Sequence, residues 1–467
     1  MTCESNRRPL SETSGFFIAV WFVCGGVVWY YIMSTKQTQK GKVVSDLKSN
    51  DAVVTRVRGT EDILDMAPIR AVCEFISRHL SIHGFSELRT PVLEKTELFV
   101  RAVGAETDVV SKEMYTFDSQ SEGSICLRPE LTAPIVRAFY EHAVTLAPWK
   151  VFQFGPAFRH ERPQKGRLRQ FFTYSIEVIN ALHVRNDVAI ILMFDRLFKK
   201  LGIADFILQL NFLGVVADRQ QHRAALKDFL IAHDAELCET CRSRREKNVL
   251  RVFDCKNETC QRLYKNAPQL EQYLSENSAA EWAQIQNDLR LLSVNFVLNP
   301  LLVRGLDYYN GVVFEFTSDA LGSQSTFCGG GRYDLSATFG KTELLPSIGA
   351  GIGLERVLMI LEAQKNPILE HAQKQLSVVI VPMDQAQEGL ALQLVEHLNS
   401  QEICAQVIFD GAGMKQKMKR ADKIGALFAI VIGEREQQEG VVQVKNMQTG
   451  NADSVPLAQV AKYLAEQ

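Results

Sequence analysis

The stretch FRHERPQKGRLRQFF, residues 158–172, limits the fold more than any other part of the chain. One strand-like run, KVFQFGPAF, leads into it and another, RQFFTYSIEVI, leads out, while Pro163 and Gly166 interrupt the connection. Two such arms around a short Pro/Gly-containing loop predict a β-hairpin, which forces them to be antiparallel neighbours. Between Arg159 and Arg169 fall five arginines or lysines and His160, opposed only by Glu161. A solvated basic hairpin or an ion-pair network would account for this charge, and so would a phosphate site. A guanidinium presents planar, paired donors that match phosphate oxygens, and the flanking phenylalanines offer flat faces on which a purine can stack.

The charge is local. The 467 residues carry a formal net charge of −2, with 46% hydrophobic and 23% charged residues, ordinary values for a globular chain. They exclude a general basic field, so any contact with nucleic acid has to come from patches. The length suits about three domains. Ten cysteines in so long a chain do not make a disulfide scaffold and point to a reducing compartment.

The N-terminus departs from this texture. Gly15–Met33, GFFIAVWFVCGGVVWYYIM, has nineteen residues without a charge. A run of about 20 apolar residues can span a bilayer, so the segment is a transmembrane candidate. It is too uniformly apolar for a mitochondrial presequence and lacks the small-residue cleavage site of a secretory signal. Lys36, Lys40 and Lys42 favour a cytoplasmic side for the rest of the chain, though Arg7 and Arg8 flank the other end. An equal alternative is a start assigned too early, because MSTKQTQKGK from Met33 resembles an ordinary N-terminus. The chemistry further along is the same under both.

Beyond a polar linker, apolar residues at helical spacing (Ile69, Val72, Cys73, Ile76, Leu80) predict a helix over 67–83 that stops at Gly84. Strand-like runs recur to about residue 215 and again after 300. Between them, 216–299 is polar, Gln-rich and helical, which reads as an insertion. From Leu376, strands alternate with helices, the pattern of a small α/β domain.

Four further motifs carry chemistry. In GIGLERVLMIL, Gly349, Gly351 and Gly353 allow close backbone approach ahead of a helix bearing Arg356. The spacing is neither a Walker loop nor a dinucleotide fingerprint. LVRGLDYYNG sets Arg304, Asp307, Tyr308 and Tyr309 before a strand, and FCGGGRYD sets Arg332 and Tyr333 after a glycine run. CLRPELTAPIVRAF places Glu130 and Thr132 at a helix start.

Together, in this order, these segments resemble the class II aminoacyl-tRNA synthetases, and specifically the histidyl-tRNA synthetases, from about Val54 to the C-terminus. The resemblance implies an α+β fold: an antiparallel-sheet catalytic core with a helical insertion, followed by a C-terminal α/β anticodon-binding domain. The expected divisions are an N-terminal extension (1–50), the first part of the core (51–215), the insertion (216–299), the second part of the core (300–370) and the anticodon-binding domain (374–467). It further implies ATP-dependent attachment of L-histidine to its tRNA through histidyl-adenylate, by a cytoplasmic homodimer using ATP and Mg²⁺. The alternatives are a membrane-tethered form and a non-catalytic, histidine-sensing paralogue that regulates ATP phosphoribosyltransferase.

Residue by residue, the resemblance puts Arg159 and Arg304 in the catalytic roles at the α-phosphate. It assigns Glu130, Leu131, Thr132, Arg159, Thr173, Glu177, Arg304, Tyr308 and Tyr309 to histidine, and Arg159, Glu161, Arg167, Phe171 and Arg356 to ATP. The family usually has an amide side chain where this chain has Thr173, and a small residue two positions on, here Ser175. Lys415, Lys417, Lys419 and Arg420, around one predicted helix, are the candidates for tRNA contact. Cys238, Cys241, Cys255 and Cys260 form C-x₂-C-x₁₃-C-x₄-C. Four thiolates can bind zinc tetrahedrally, and free thiols are the alternative.

Overall fold

A computed structural model describes residues 17–24, 27–34, 54–105, 107–371, 377–409 and 413–467. The chain divides into an N-terminal unit, Met1–Arg56, and a second unit, Val57–Gln467.

In the first unit, Phe17–Cys24 and Val27–Ser34 pair as antiparallel strands, with Val23 opposite Val28 and Cys24 opposite Val27. The transmembrane candidate expected over Gly15–Met33 is thus, over its described residues, a pair of strands and not a helix. The run is rich in Val, Ile, Phe, Trp and Tyr, which suit a pleated strand, and its sequence has Gly-Gly between the two halves, a hairpin signal. Among the described residues no helix is long and apolar enough to cross a membrane. Lys36, Lys40 and Lys42 lie outside the described residues.

The second unit is built on an eight-stranded sheet. In chain order its strands are β1 (Ser86–Glu87), β2 (Trp149–Phe158), β3 (Gln170–Ile179), β4 (Ile207–Phe212), β5 (Val297–Leu298), β6 (Tyr309–Thr317), β7 (Thr326–Tyr333) and β8 (Ser347–Gly353). They lie in the order β5-β4-β6-β7-β8-β3-β2-β1. All neighbours are antiparallel except the two short edge strands, which run parallel to theirs. The predicted hairpin is present: β2 and β3 pair from Trp149–Ile179 to Phe158–Gln170.

Alternation along β3 explains how the sheet serves two purposes. Successive side chains point to opposite faces, and Tyr174, Ile176 and Val178 enter the main core. There they meet the helices α1 (Ala67–Ile82), α3 (Arg185–Lys200) and α4 (Leu354–Ala363), through residues such as Ile76, Phe194, Phe198 and Val357. Thr173, Ser175 and Glu177 take the opposite face, beneath α2 (Thr132–Glu141). Glu276–Leu291, at the end of the insertion, also buries Trp282, Ile285 and Leu289 in the main core. The three preceding insertion helices (Val216–Ala232, Glu239–Lys247, Glu258–Tyr264) surround a small core of their own.

The C-terminal strands β9 (Ser377–Pro382), β10 (Cys404–Val407), β11 (Phe428–Ile432), β12 (Val441–Asn446) and β13 (Ala452–Pro456) form a separate sheet in the order β10-β9-β11-β12-β13. Its first two pairings are parallel and the rest antiparallel. The helices α5 (Gln385–Ser400) and α6 (Met414–Ile424) accompany it.

Candidate active site

A cavity of about 270 Å³ opens on the face of the large sheet that α1, α3 and α4 leave free. Three groups of side chains line or underlie it.

At the floor, Glu130 accepts the backbone N–H groups of Thr132 (2.8 Å) and Ala133 (2.9 Å) at the start of α2. A carboxylate there satisfies orphan donors and faces the positive end of the helix dipole. Burial raises its pKa against those bonds. Glu177 lies one layer below the cavity wall and is 0% exposed. Thr132 and Ser175 each donate a hydroxyl to its Oε1 at 2.7 Å, and Tyr333 donates to Oε2 at 2.8 Å. An ionised carboxylate has about four acceptor sites, so these three donors leave one. Gly349 makes room for it, because a Cβ there would stand 1.6 Å from Glu177 Oε2.

Burial pushes the Glu177 carboxyl up to about 7 from 4.5, with the Ser175, Thr132 and Tyr333 hydroxyls acting the other way. An acid whose folded pKa is raised contributes stability that is fully present below its unfolded value. That contribution is lost as pH rises through the folded value. The spread from 4.5 to about 7 corresponds to about 3 kcal/mol. Glu177→Gln, which cannot ionise, should therefore lose less thermal stability than the parent between about pH 5 and pH 7. Parallel pH–Tm curves for the two would contradict this.

At the waist stand Arg159, Phe171, Arg304, Tyr308 and Tyr309. Arg159 donates Nε to Pro129 O at 2.9 Å, and its guanidinium lies 5.6 Å from the Phe171 ring centre. Arg304 is ion-paired with Glu315, whose second oxygen accepts from Thr326 Oγ1 at 2.7 Å. Burial is the largest influence and opposes the Arg304 charge, but Glu315, Tyr309 and Tyr308 together outweigh it and hold the pKa above the ordinary arginine value. Arg304 Nε is a buried donor with no acceptor, a condition that costs stability unless a ligand relieves it. A Cβ at Gly329 would come within 2.8 Å of this guanidinium, which explains the first glycine of the GGG run.

At the mouth, Arg167 pairs with Glu161, and Arg356 donates Nε to Gly166 O at 2.9 Å. Burial and the neighbouring Arg167 and Arg159 lower the Arg356 pKa, as expected where cations are gathered without enough anions. Glu355 faces the cavity and accepts the Phe172 N–H at 2.7 Å.

Thus Glu130, Leu131, Thr132, Arg159, Glu161, Arg167, Phe171, Thr173, Arg304, Tyr308, Tyr309 and Arg356 all line one cavity, with Glu177 directly behind. Thr173 turns its hydroxyl onto Ile352 O (3.0 Å) and Tyr174 O (3.1 Å). Sequence reasoning did not assign Tyr333, Glu315 or Glu355 to the site. Glu315 had a signal, a lone acid within the apolar strand VVFEF. Arg332, beside Tyr333 but on the opposite face, pairs with Asp187 through two bonds of 2.8 and 2.6 Å and ties β7 to α3.

Two other predicted groups lie elsewhere. On α6, Lys415, Lys419 and Arg420 are exposed, but Lys417 is buried and donates Nζ to Pro382 O at 2.8 Å. Lys417 is thereby corrected from a candidate RNA contact to a core tether. Two residues on, a helical side chain has turned about 200°, so Lys415 and Lys417 cannot share a face. The sulfurs of Cys238, Cys241, Cys255 and Cys260 all lie within 4.8 Å of one another.

Comparison with known proteins gives a consistent answer. Residues 59–357 match the family described as histidyl-tRNA synthetase, and residues 377–467 match that described as anticodon binding domain. A histidine–tRNA ligase of Moorella thermoacetica is 40% identical over 417 residues, 88% of this chain and 98% of that protein. One from Fervidobacterium nodosum is 39% identical over 400 residues, 85% of this chain and 94% of that protein. The apo histidyl-tRNA synthetase of S. aureus superimposes with a TM-score of 0.73 at 30% identity, covering 88% of this chain and all of that one. The chain belongs to the histidyl-tRNA synthetase family.

Proposed function

We propose that this protein is a histidine–tRNA ligase that joins L-histidine to its tRNA in two steps at the cavity. In the first, a histidine carboxylate oxygen attacks the α-phosphorus of ATP. The bond from that phosphorus to the bridging oxygen breaks, pyrophosphate leaves and histidyl-adenylate forms. In the second, a tRNA hydroxyl attacks the activated carbonyl and AMP leaves. The nucleophile is already ionised at neutral pH, so the first step needs alignment and charge stabilisation, not a base.

The observation that carries this reading is the zoning of one cavity, with carboxylates at the floor and arginines at the waist and mouth. Glu130 and Thr132 suit the substrate's α-ammonium, and Tyr309, Tyr308 and the remaining acceptor site of Glu177 suit the imidazole. Arg159 and Arg304 then flank the α-phosphate and Phe171 stacks on adenine. Arg167 and Arg356 hold the outer phosphates. Mg²⁺ prefers hard oxygen ligands and keeps phosphates among them. Glu355 offers a cavity-facing carboxylate for it, and the ion would neutralise phosphate charge there. Thr173, its hydroxyl already engaged with backbone, contributes less to the ammonium site than an amide would.

The test is amino-acid-dependent ATP–pyrophosphate exchange with the full chain. Exchange with histidine alone supports ligase activity; a folded protein that binds histidine without exchange would favour the regulatory reading.

Two partners follow from the same proposal. The C-terminal domain meets the anticodon stem through the exposed face of α6. Lys415→Ala with Lys419→Ala should weaken tRNA binding several-fold at low salt, since each removed phosphate contact reduces the counterion term. Lys417→Met should lower the melting temperature and leave the salt dependence of binding unchanged; the reverse pattern would refute the assignment. Ile82, exposed at the end of α1, and Leu93, exposed at the start of the short strand Leu93–Lys95, suit a homodimer contact, which sedimentation would report. Cys73, Cys126, Cys238, Cys241, Cys255, Cys260, Cys328 and Cys404 form no disulfides, in keeping with a cytoplasmic enzyme.

A further inference from the structure

We propose that Cys238, Cys241, Cys255 and Cys260 hold a structural Zn²⁺, and that this knot fixes the insertion loop that grips Asp307 beside the active site. A tetrahedral zinc with bonds of about 2.3 Å to sulfur sets its ligands about 3.8 Å apart. Here Cys238 Sγ and Cys255 Sγ are 3.7 Å apart, and all four sulfurs lie within 4.8 Å of one another. Small side-chain rotations complete the tetrahedron.

The surroundings fit a thiolate cluster. Cys238 caps the helix Glu239–Lys247, and Cys241 sits in its first turn. Cys255 and Cys260 bracket Asn257, the cap of the next helix, Glu258–Tyr264. The backbone N–H of Cys238 donates to Cys260 Sγ at 3.3 Å, and that of Asn257 to Cys255 Sγ at 3.4 Å. Such N–H···S bonds orient and support metal-bound sulfur. Tyr264 lies against Cys241 and Cys260, and its buried hydroxyl has no hydrogen-bond partner. A zinc-bound thiolate supplies the missing acceptor. The insertion's own core is small and includes Cys241, Cys255 and Cys260 among its buried residues. A core of that size is the kind that a metal staple completes.

The consequence reaches the cavity. Between the two cysteine pairs runs the segment 242–254, and from it Asn248 Nδ2 donates to both oxygens of Asp307 at 3.2 Å. Arg251 Nη2 donates to Asp307 Oδ1 at 2.9 Å and to Gly305 O at 2.7 Å. Those acceptors sit within the 304–309 segment, which supplies Arg304, Tyr308 and Tyr309 to the cavity wall. Holding both ends of 242–254 to one ion fixes Asn248 and Arg251 where they brace that wall. Asn248 and Arg251 act as positioning residues; neither lines the cavity.

The first test uses the wild-type full chain, reduced, loaded with Zn²⁺ and desalted. One zinc per chain by elemental analysis, released in step with mercurial modification of four thiols, is expected. Cobalt in its place should show the intense visible bands of a tetrahedral thiolate site. Cys238→Ser should lose the metal, whereas Cys238→His, which keeps a ligand, should retain it. Substoichiometric zinc, with the four thiols reacting freely in the native chain or joined as disulfides, would overturn the site whether or not the variants fold. Hydrogen exchange then tests the brace: peptides covering 304–309 should exchange faster in Cys238→Ser than in Cys238→His. Equal exchange, with zinc present in one and absent from the other, would overturn the positioning role. Neither measurement depends on the ligase reading.

Discussion

Replacing Arg304 with alanine is expected to lower histidine-dependent ATP–pyrophosphate exchange by about 10³-fold, the size typical of removing one preorganised donor from a charged transition state. Arg304 is half-buried in the cavity wall, ion-paired with Glu315 and left with an unsatisfied Nε donor. The geometry predicts a second effect that has to be separated from the first. Removing one partner of a buried pair leaves the other charge uncompensated and costs roughly 3–5 kcal/mol; here both side chains keep some exposure, so the lower end applies. Arg304→Ala alone would thus lose activity and stability together. Adding Glu315→Gln removes the orphaned charge and should restore most of the melting temperature. Exchange should stay down by the same factor, because the lost donor is still missing. If the double variant recovered exchange along with stability, Arg304 would be a structural residue and its catalytic assignment would fail.

That pair also shows where sequence reasoning stops. Arg304 was recognisable from LVRGLDYYNG, but the identity of its partner depends on β6 returning past it, and a turn does not announce what it folds against. The same holds for Tyr333 and Glu177, 156 residues apart and joined by one hydrogen bond. Local signals fared better where the physics is local. The β2–β3 hairpin follows from two strand-like arms around Pro163 and Gly166, and the alternation of TYSIEV assigns each residue to a face. Helical phase was readable but not used. Lys417 and Ala421, four apart, are both buried on α6, while Lys415 and Lys419 are exposed. Counting basic residues along the helix hid that division. At the N-terminal run, length and apolarity alone do not distinguish a span from two strands, and the β-branched and aromatic content fits the strand pair found there.

Gly349→Ala carries the other large expected effect, and it tests the floor of the cavity without touching a charged group. Gly349 on β8 pairs with Glu177 on β3 and with Gly331 on β7. An alanine Cβ there would stand 1.6 Å from Glu177 Oε2 and 2.4 Å from its Cδ, far inside contact distance. The strand is held on both sides, so the carboxylate has to move. Moving it abandons the Thr132, Ser175 and Tyr333 hydroxyls, each buried and each costing about 1–3 kcal/mol if left unpaired. With the strain of overpacking, also about 1–3 kcal/mol, and partial relaxation, a loss of roughly 3 kcal/mol or more is expected. The Michaelis constant for histidine should rise by about 10²-fold, since a polar pocket discriminates through groups held in register. That for ATP should change little, because Arg167 and Arg356 lie at the other end. Combining Gly349→Ala with Glu177→Ala supplies the control. With the carboxylate gone the methyl has space, so the two stability losses should fall short of their sum by about 2 kcal/mol. Simple additivity would mean that the glycine is needed for something other than Glu177, and that the carboxylate does not depend on the space beside β8.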